Sequence, residues 1–215
     1  MPSYIIHPWR NQTFTYGKLS RKISIKLFVK HSSEKGTSLK VTKCSLDGVL
    51  LIEPAMFTDD RGFFLESYQE KRYCEVGVTE NFVQDNHSRS MKHVLRGLHF
   101  TKNKPQAQIL TVIRGRIFDV VVDIRKDSST FGQWFGTELS DEGPRQIYMA
   151  HGFAHGFCVL SEYADVHYKV SQRYVPGDEG GLLWNDPDVC IDWPVRTPII
   201  SKRDRNHPSL RSLSS

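Results

Sequence analysis

The chain has 215 residues, 25% charged and 39% hydrophobic, a composition that fits one large globular domain or one domain with a tail. Nowhere do eighteen apolar residues run together, which excludes a helical membrane span. The net charge of +5 is unevenly divided: residues 1–40 hold eight Lys or Arg against the single acid Glu34, for +7, and the remaining 21 bases and 23 acids leave −2. A nearly neutral body argues against a nucleic-acid partner while leaving room for a local basic pocket that holds a phosphate.

Residues 1–41 carry scattered aromatics, many bases and no sustained period, and are expected to form a flexible basic extension ahead of a single domain over 42–215. A transit peptide would be basic and acid-poor in the same way, but no amphipathic helix or secretory apolar core accompanies it. From Thr42 the texture changes to short apolar runs separated by turn signals. A strand is expected over 49–53, stopped by Pro54, then a turn at Asp59-Asp60-Arg61-Gly62, a strand over 63–68 and a helix over 69–76. Further strands are expected over 81–84, 94–100, 108–113, 116–124, 134–139, 146–149, 155–160 and 164–172. Arg114-Gly115 between two of these runs predicts a tight hairpin. Within 116–124, Phe118, Val120, Val122 and Ile124 share one face, and Asp119 and Asp123 lie on the other. Many short strands with little helix predict an all-β sandwich or jelly roll whose interior can be lined by polar groups.

The chemistry concentrates first at Val94-Leu-Arg-Gly-Leu-His-Phe100. Strict alternation would point Leu95, Gly97 and His99 one way and Arg96, Leu98 and Phe100 the other. That leaves an imidazole able to take a proton near neutral pH beside a position with no side chain. A lone strand histidine is more often a hydrogen-bonded structural residue than a base, so its partners decide its role. His151 and His155 stand four apart, as metal ligands do on a helix, but the glycines between and after them make a turn feeding a strand, and no H-x-H pair starts a metal site. His155 suits an orienting role toward a carboxylate or sugar hydroxyl, or a structural one capping backbone groups. Tyr168 shares a strand face with Val166. Asp204 reads as surface charge unless the chain returns to the sheet, where it could fix the tautomer of His99. The four cysteines, Cys44, Cys74, Cys158 and Cys190, form no C-x-x-C pair and read as reduced thiols of a cytoplasmic protein.

Taken together, 94–100, Phe82-Val-Gln-Asp-Asn-His-Ser88, 118–125 with Thr130-Phe-Gly-Gln-Trp134, Gly152-Phe-Ala-His-Gly-Phe157, and Leu183-Trp-Asn-Asp186 followed by Trp193-Pro194 resemble the dTDP-4-dehydrorhamnose 3,5-epimerase family. The resemblance runs from about residue 43 to about 206, motif after motif in the same order, and does not cover the basic extension. It implies a cupin-type jelly roll (double-stranded β-helix) without metal or other cofactor and a homodimer; the charge and hydropathy, independently, give the expectation of no nucleic-acid or membrane partner. The implied substrate is a nucleotide-linked 4-keto-6-deoxy sugar, with proton exchange at the carbons flanking the ketone, C3, C5 or both. By the same resemblance His99 takes the proton, Asp204 orients it and Tyr168 returns a proton from the other face. Arg61, Glu66, Gln84, Asn86, Arg96, Gln108, His155, Glu179 and Arg203 fall at the family's sugar-nucleotide contacts, and the planar guanidinium of Arg61 or Arg96 is apt for a diphosphate.

Four positions depart from the family's pattern. Gln108 stands where a Lys commonly faces the developing oxyanion, Thr101 where Gln is usual, and Ala150-His151 where Pro-Glu precedes the glycine. An amide donates a hydrogen bond but carries no charge. A single-centre epimerase for another deoxysugar or a heptose, and a jelly roll that binds a sugar nucleotide without catalysis, are the neighbouring readings. A metal-dependent cupin would need several convergent His or Glu ligands, for which the histidines are poorly spaced.

Overall fold

The structure, a computed structural model, describes residues 38–214, so the expected extension lies outside the described residues up to residue 37. The chain runs through β1 (Leu39–Lys43), β2 (Val49–Pro54), β3 (Met56–Asp59), β4 (Gly62–Leu65), α1 (Glu70–Glu75), β5 (Gln84–Met91), β6 (Val94–Thr101), β7 (Gln108–Arg114), β8 (Arg116–Asp123), β9 (Trp134–Ser140), β10 (Gln146–Met149), β11 (Phe153–Val159), β12 (Tyr163–Val170), β13 (Glu179–Gly181), β14 (Ile199–Ile200), α2 (Lys202–Arg205) and α3 (Leu210–Ser214). Strand β1 takes in three residues expected to belong to the extension, because Leu39 and Val41 bury their side chains with Ile52 and Tyr73. The expected helix is α1, closed at its start by the Gln69 side chain accepting from Arg72 N–H.

Two sheets face each other as a jelly roll. One has the order β1-β2-β10-β7-β12-β5; the other has β13-β6-β11-β8-β9, with β14 added parallel to β6. Leu110, Val112, Ile147 and Met149 from the first sheet meet Ile117, Val121, Leu139 and Phe157 from the second. Each such side chain contributes about 1.5–3 kcal/mol by leaving water. Tyr73 of α1 covers the back of the first sheet, and Leu210 of α3 helps cover the back of the second. No helix among the described residues is long and apolar enough to cross a membrane.

Two local expectations fail. The expected hairpin at 114–115 does not form: β7 pairs with β10 and β12, whereas β8 pairs with β9 and β11 in the other sheet. Gly115, at φ +84°, instead carries the chain from one sheet to the other so close to its neighbour that an added Cβ would lie 2.2 Å from Tyr163 O. The strand expected at 81–84 lies at Gln84–Met91. Its inward positions are Gln84, Asn86, Ser88 and Ser90, opposite Val170, Tyr168, Val166 and Ala164 of β12. The alternation is there, but its inner face is polar, so hydrophobic period could not reveal it.

Asp123, at the end of β8, organises the connection to β9 by accepting from Arg125 Nε at 2.9 Å, Ser128 Oγ at 2.6 Å and Thr130 Oγ1 at 2.6 Å. Burial alone would raise its carboxyl, but these donors outweigh burial and hold it at about 2. A carboxyl depressed on folding stabilises the native state fully above its unfolded pKa of about 3.9 and loses that contribution as pH falls. We therefore expect about 2 kcal/mol of stability to disappear between pH 4 and about pH 2. Denaturant midpoints measured across that window should fall in the native chain and fall less in Asp123→Asn; equal slopes would contradict this assignment.

Candidate active site

The site is built where β6 crosses the second sheet. From Phe157 to His155, β11 advances two residues while β6 advances three, from Arg96 to His99. This bulge reverses the alternation, because one extra residue turns the following side chains to the opposite face. His155 shares the inner face with Val121, its partner on β8, and His99 pairs with His155; Arg96 pairs with Phe157, which is also in the inner core. Arg96 and His99 therefore both enter the space between the sheets, whereas strict alternation had placed them on opposite faces. Glycines make the close pairing possible: a Cβ on Gly97 would come within 2.6 Å of Gly156 Cα, and one on Gly156 within 2.6 Å of Arg96 O.

The chain does return to this sheet. Ile200 of β14 pairs beside Leu95, and Ser201 then starts the single turn of α2 by accepting from Asp204 N–H at 3.0 Å. Asp204 is thereby buried beneath β6, with Oδ1 2.9 Å from His99 Nε2 and Oδ2 accepting from Gly97 N–H at 3.2 Å. Burial alone would raise the Asp204 carboxyl, but its hydrogen-bonded contacts with His99 and with the N–H of Gly97 hold it well below the usual carboxylate range. A carboxylate only accepts, so Nε2 of His99 carries the proton it donates and Nδ1 keeps a free lone pair. Arg203 lies across the same pair, 3.2 Å from His99 Nε2 and 3.4 Å from Asp204 Oδ1, and its Nη1 pairs with Glu179 at 3.1 Å.

Across the cleft, Tyr168 faces inward on β12, in register with Asn86 on β5 and Leu110 on β7. Burial pushes its phenol above the ordinary value, opposed by the charge of Arg96 and assisted by that of Glu179. Arg96 itself reaches from β6 to the facing sheet, donating to Ser90 Oγ at 2.7 Å. Gln84 donates to Asn86 Oδ1 at 2.9 Å, and Gln108, inward at the start of β7, donates to Gln106 Oε1 at 3.0 Å. His155 Nε2 lies 2.8 Å from Asp119 Oδ2, which gives His155 the same kind of carboxylate partner that Asp204 gives His99.

Arg61 and Glu66 are not brought into this group. Arg61 lies on the β3–β4 hairpin bonded to Asp59, and Glu66 is paired with Arg72 of α1. The residues that sequence reasoning missed are those acting through others: Asp119 behind His155, Ser90 behind Arg96, and His207, whose Nε2 is 3.5 Å from Asp204 Oδ1. The sequence set Asp119 only on the face of its strand opposite Phe118 and Val120, and the cross-strand register is what joins it to His155. His99, Asp204 and His207 lie close enough to share a divalent ion. The Arg203 guanidinium already supplies a positive charge there, so the group does not favour one. A cavity of about 490 Å³ beside Glu80, Lys104, His151 and Arg173 contains none of the groups converging on His99.

A family model described as dTDP-4-dehydrorhamnose 3,5-epimerase matches residues 43–212. A dTDP-4-dehydrorhamnose 3,5-epimerase of Methanothermobacter thermautotrophicus is 50% identical over 172 residues, which span 79% of this chain and 93% of the relative. A dTDP-4-dehydrorhamnose 3-epimerase of Streptomyces niveus is 41% identical over 170 residues, 78% of this chain and 82% of the relative. Among solved structures, dTDP-6-deoxy-D-glucose-3,5-epimerase of Legionella pneumophila, in complex with dTDP-4-keto-L-rhamnose, superposes with a TM-score of 0.78 at 46% identity, covering 80% of this chain and 93% of that one.

Proposed function

The chain belongs to the dTDP-4-dehydrorhamnose 3,5-epimerase family, and on that premise we propose that it is an isomerase inverting C3, C5 or both in a nucleotide-linked 4-keto-6-deoxy sugar. The observation that carries the reading is the His99 Nε2–Asp204 Oδ1 contact of 2.9 Å with the Tyr168 phenol on the facing sheet. A proton beside a ketone is removable when a base is aligned with it and the enolate oxygen is stabilised. His99 Nδ1 is the base, with Asp204 accepting from Nε2–H and stabilising the imidazolium that forms. Tyr168, kept protonated by burial, returns a proton to the opposite face of the enolate and so inverts the centre. Arg96 and Arg203 supply charge for the diphosphate. His155, with Nε2–H given to Asp119, offers Nδ1 to a sugar hydroxyl.

Gln108 serves the enolate oxygen through the second N–H of its amide, the first being given to Gln106. Because that donor is uncharged, Gln108→Lys is expected to raise kcat, by up to the roughly 100-fold that one oxyanion donor is worth. Unchanged turnover would mean that another group carries the oxyanion.

The reading extends to a homodimer. Phe63 and Phe64 are 67% and 69% exposed on the β3–β4 hairpin, a two-stranded unit outside both sheets. A second copy of the chain is the occupant that would bury them and bring Arg61 and Glu66 of one protomer to the site of the other. Light scattering should give twice the chain mass for the native protein and a shift to monomer for the Phe63→Glu/Phe64→Glu variant; a native monomer would reject the dimer. Four unpaired cysteines support a reducing, cytoplasmic setting.

Incubation with dTDP-4-keto-6-deoxyglucose in deuterated water tests the activity. The expected result is deuterium at C3, C5 or both, one mass unit per exchanged carbon, which also separates single-centre from double epimerisation. No exchange by folded protein would overturn the assignment to this substrate.

A further inference from the structure

His207 has no part in the chemistry described so far, yet it is 11% exposed and set against both members of the proton-accepting pair. One face of its ring lies on β13 at Gly181, where an added Cβ would come within 2.2–2.3 Å of three ring atoms. The ring meets that of His99 edge to face, with centroids 5.7 Å apart and planes at 85°. Its Nε2 is buried, makes no hydrogen bond among the described residues, and stands 3.5 Å from Asp204 Oδ1.

The distance is informative. At 3.5 Å the ring nitrogen is too far to donate a full hydrogen bond to Oδ1, whose shortest contact is His99 at 2.9 Å, while Oδ2 accepts from Gly97 N–H. The ring nevertheless lies against Asp204, which is itself 3% exposed. The titratable and charged groups acting on it are Asp204 and Arg203 on α2 and His99 on β6, with Glu179 of β13 paired to Arg203. Burial first, and then the Arg203 charge, lower the His207 pKa from its ordinary value against the pull of Asp204. An edge-to-face contact also fixes the tilt of its partner ring, which determines where Nδ1 of His99 points.

We propose that His207 is a positioning residue for the His99–Asp204 pair, excluding water from Asp204 and holding the His99 imidazole at the angle that aims Nδ1 into the cleft. This rests on His99 being the base. Misplacing a reacting group by about 1 Å costs on the order of 100-fold in rate, which sets the expected effect.

His207→Ala should lower kcat by roughly 100-fold with KM little changed, while His207→Phe, which keeps the ring edge and its volume, should retain most of the native kcat. The second readout needs no substrate: the Nε2–H proton of His99, observed by NMR, should be protected in the native protein and in His207→Phe. It should be lost to solvent exchange in His207→Ala and in Gly181→Ala, which displaces the ring without removing it. A native kcat in folded His207→Ala, or His207→Phe as slow as His207→Ala, would overturn the proposal. So would an unaltered Nε2–H signal in both His207→Ala and Gly181→Ala. If the native protein showed no isotope exchange, the assignment of His99 as base would fall, and the NMR signal would still report on the positioning.

Discussion

His99→Gln should abolish detectable isotope exchange while leaving the fold intact. Gln is the informative replacement because its amide N–H can still donate to Asp204, in place of the Nε2–H that donates at 2.9 Å. The buried carboxylate then keeps a partner, which avoids the penalty of stranding a charge. What is removed is the lone pair on Nδ1. A positioned general base contributes about 10²–10⁴ in rate, so kcat should fall by at least 100-fold with a denaturation midpoint close to native. His99→Ala should lose the same activity and also some stability, since Asp204 would lose its principal donor. Exchange at the native rate in His99→Gln would remove His99 from the reaction and with it the role given to Asp204.

Much of this site could be read from residue order alone, and what could not has a physical reason. The run 94–100 announced itself because Arg, Gly and His interrupt an apolar strand, and its partners came from the resemblance along the chain. The direction of Arg96 was legible only in three dimensions. A single extra residue on β6 relative to β11 decides whether it shares a face with His99, and that pairing lies about sixty positions downstream. Strand β5 was expected at 81–84, ending where it in fact begins, because its inward residues are Gln84, Asn86, Ser88 and Ser90. A site rim built of polar side chains erases the hydrophobic period that reveals strands. Gly115 was misread for a related reason: a positive-φ glycine between two apolar runs fits both a hairpin and a passage between sheets, and only pairing distinguishes them. Asp204 depended on the two-residue β14, too short to leave any pattern.

Tyr168 carries the second large effect and the sharper one. Its ring packs against the inner core while its hydroxyl is the only part the proposed reaction uses, so Tyr168→Phe should fold as the native chain does. The base is untouched in that variant, and His99 can still remove a proton and give it back to the same face. Loss of the acid on the other face should therefore separate two events that are coupled in the native enzyme. Inversion should fall by about 10²–10⁴, while exchange of the carbon-bound proton with solvent continues. In the proposed reaction one group removes the proton and another across the cleft returns it, and this variant separates the two most directly. In deuterated water Tyr168→Phe should yield recovered substrate that carries deuterium with unchanged configuration. Inverted product at the native rate from folded Tyr168→Phe would contradict the account.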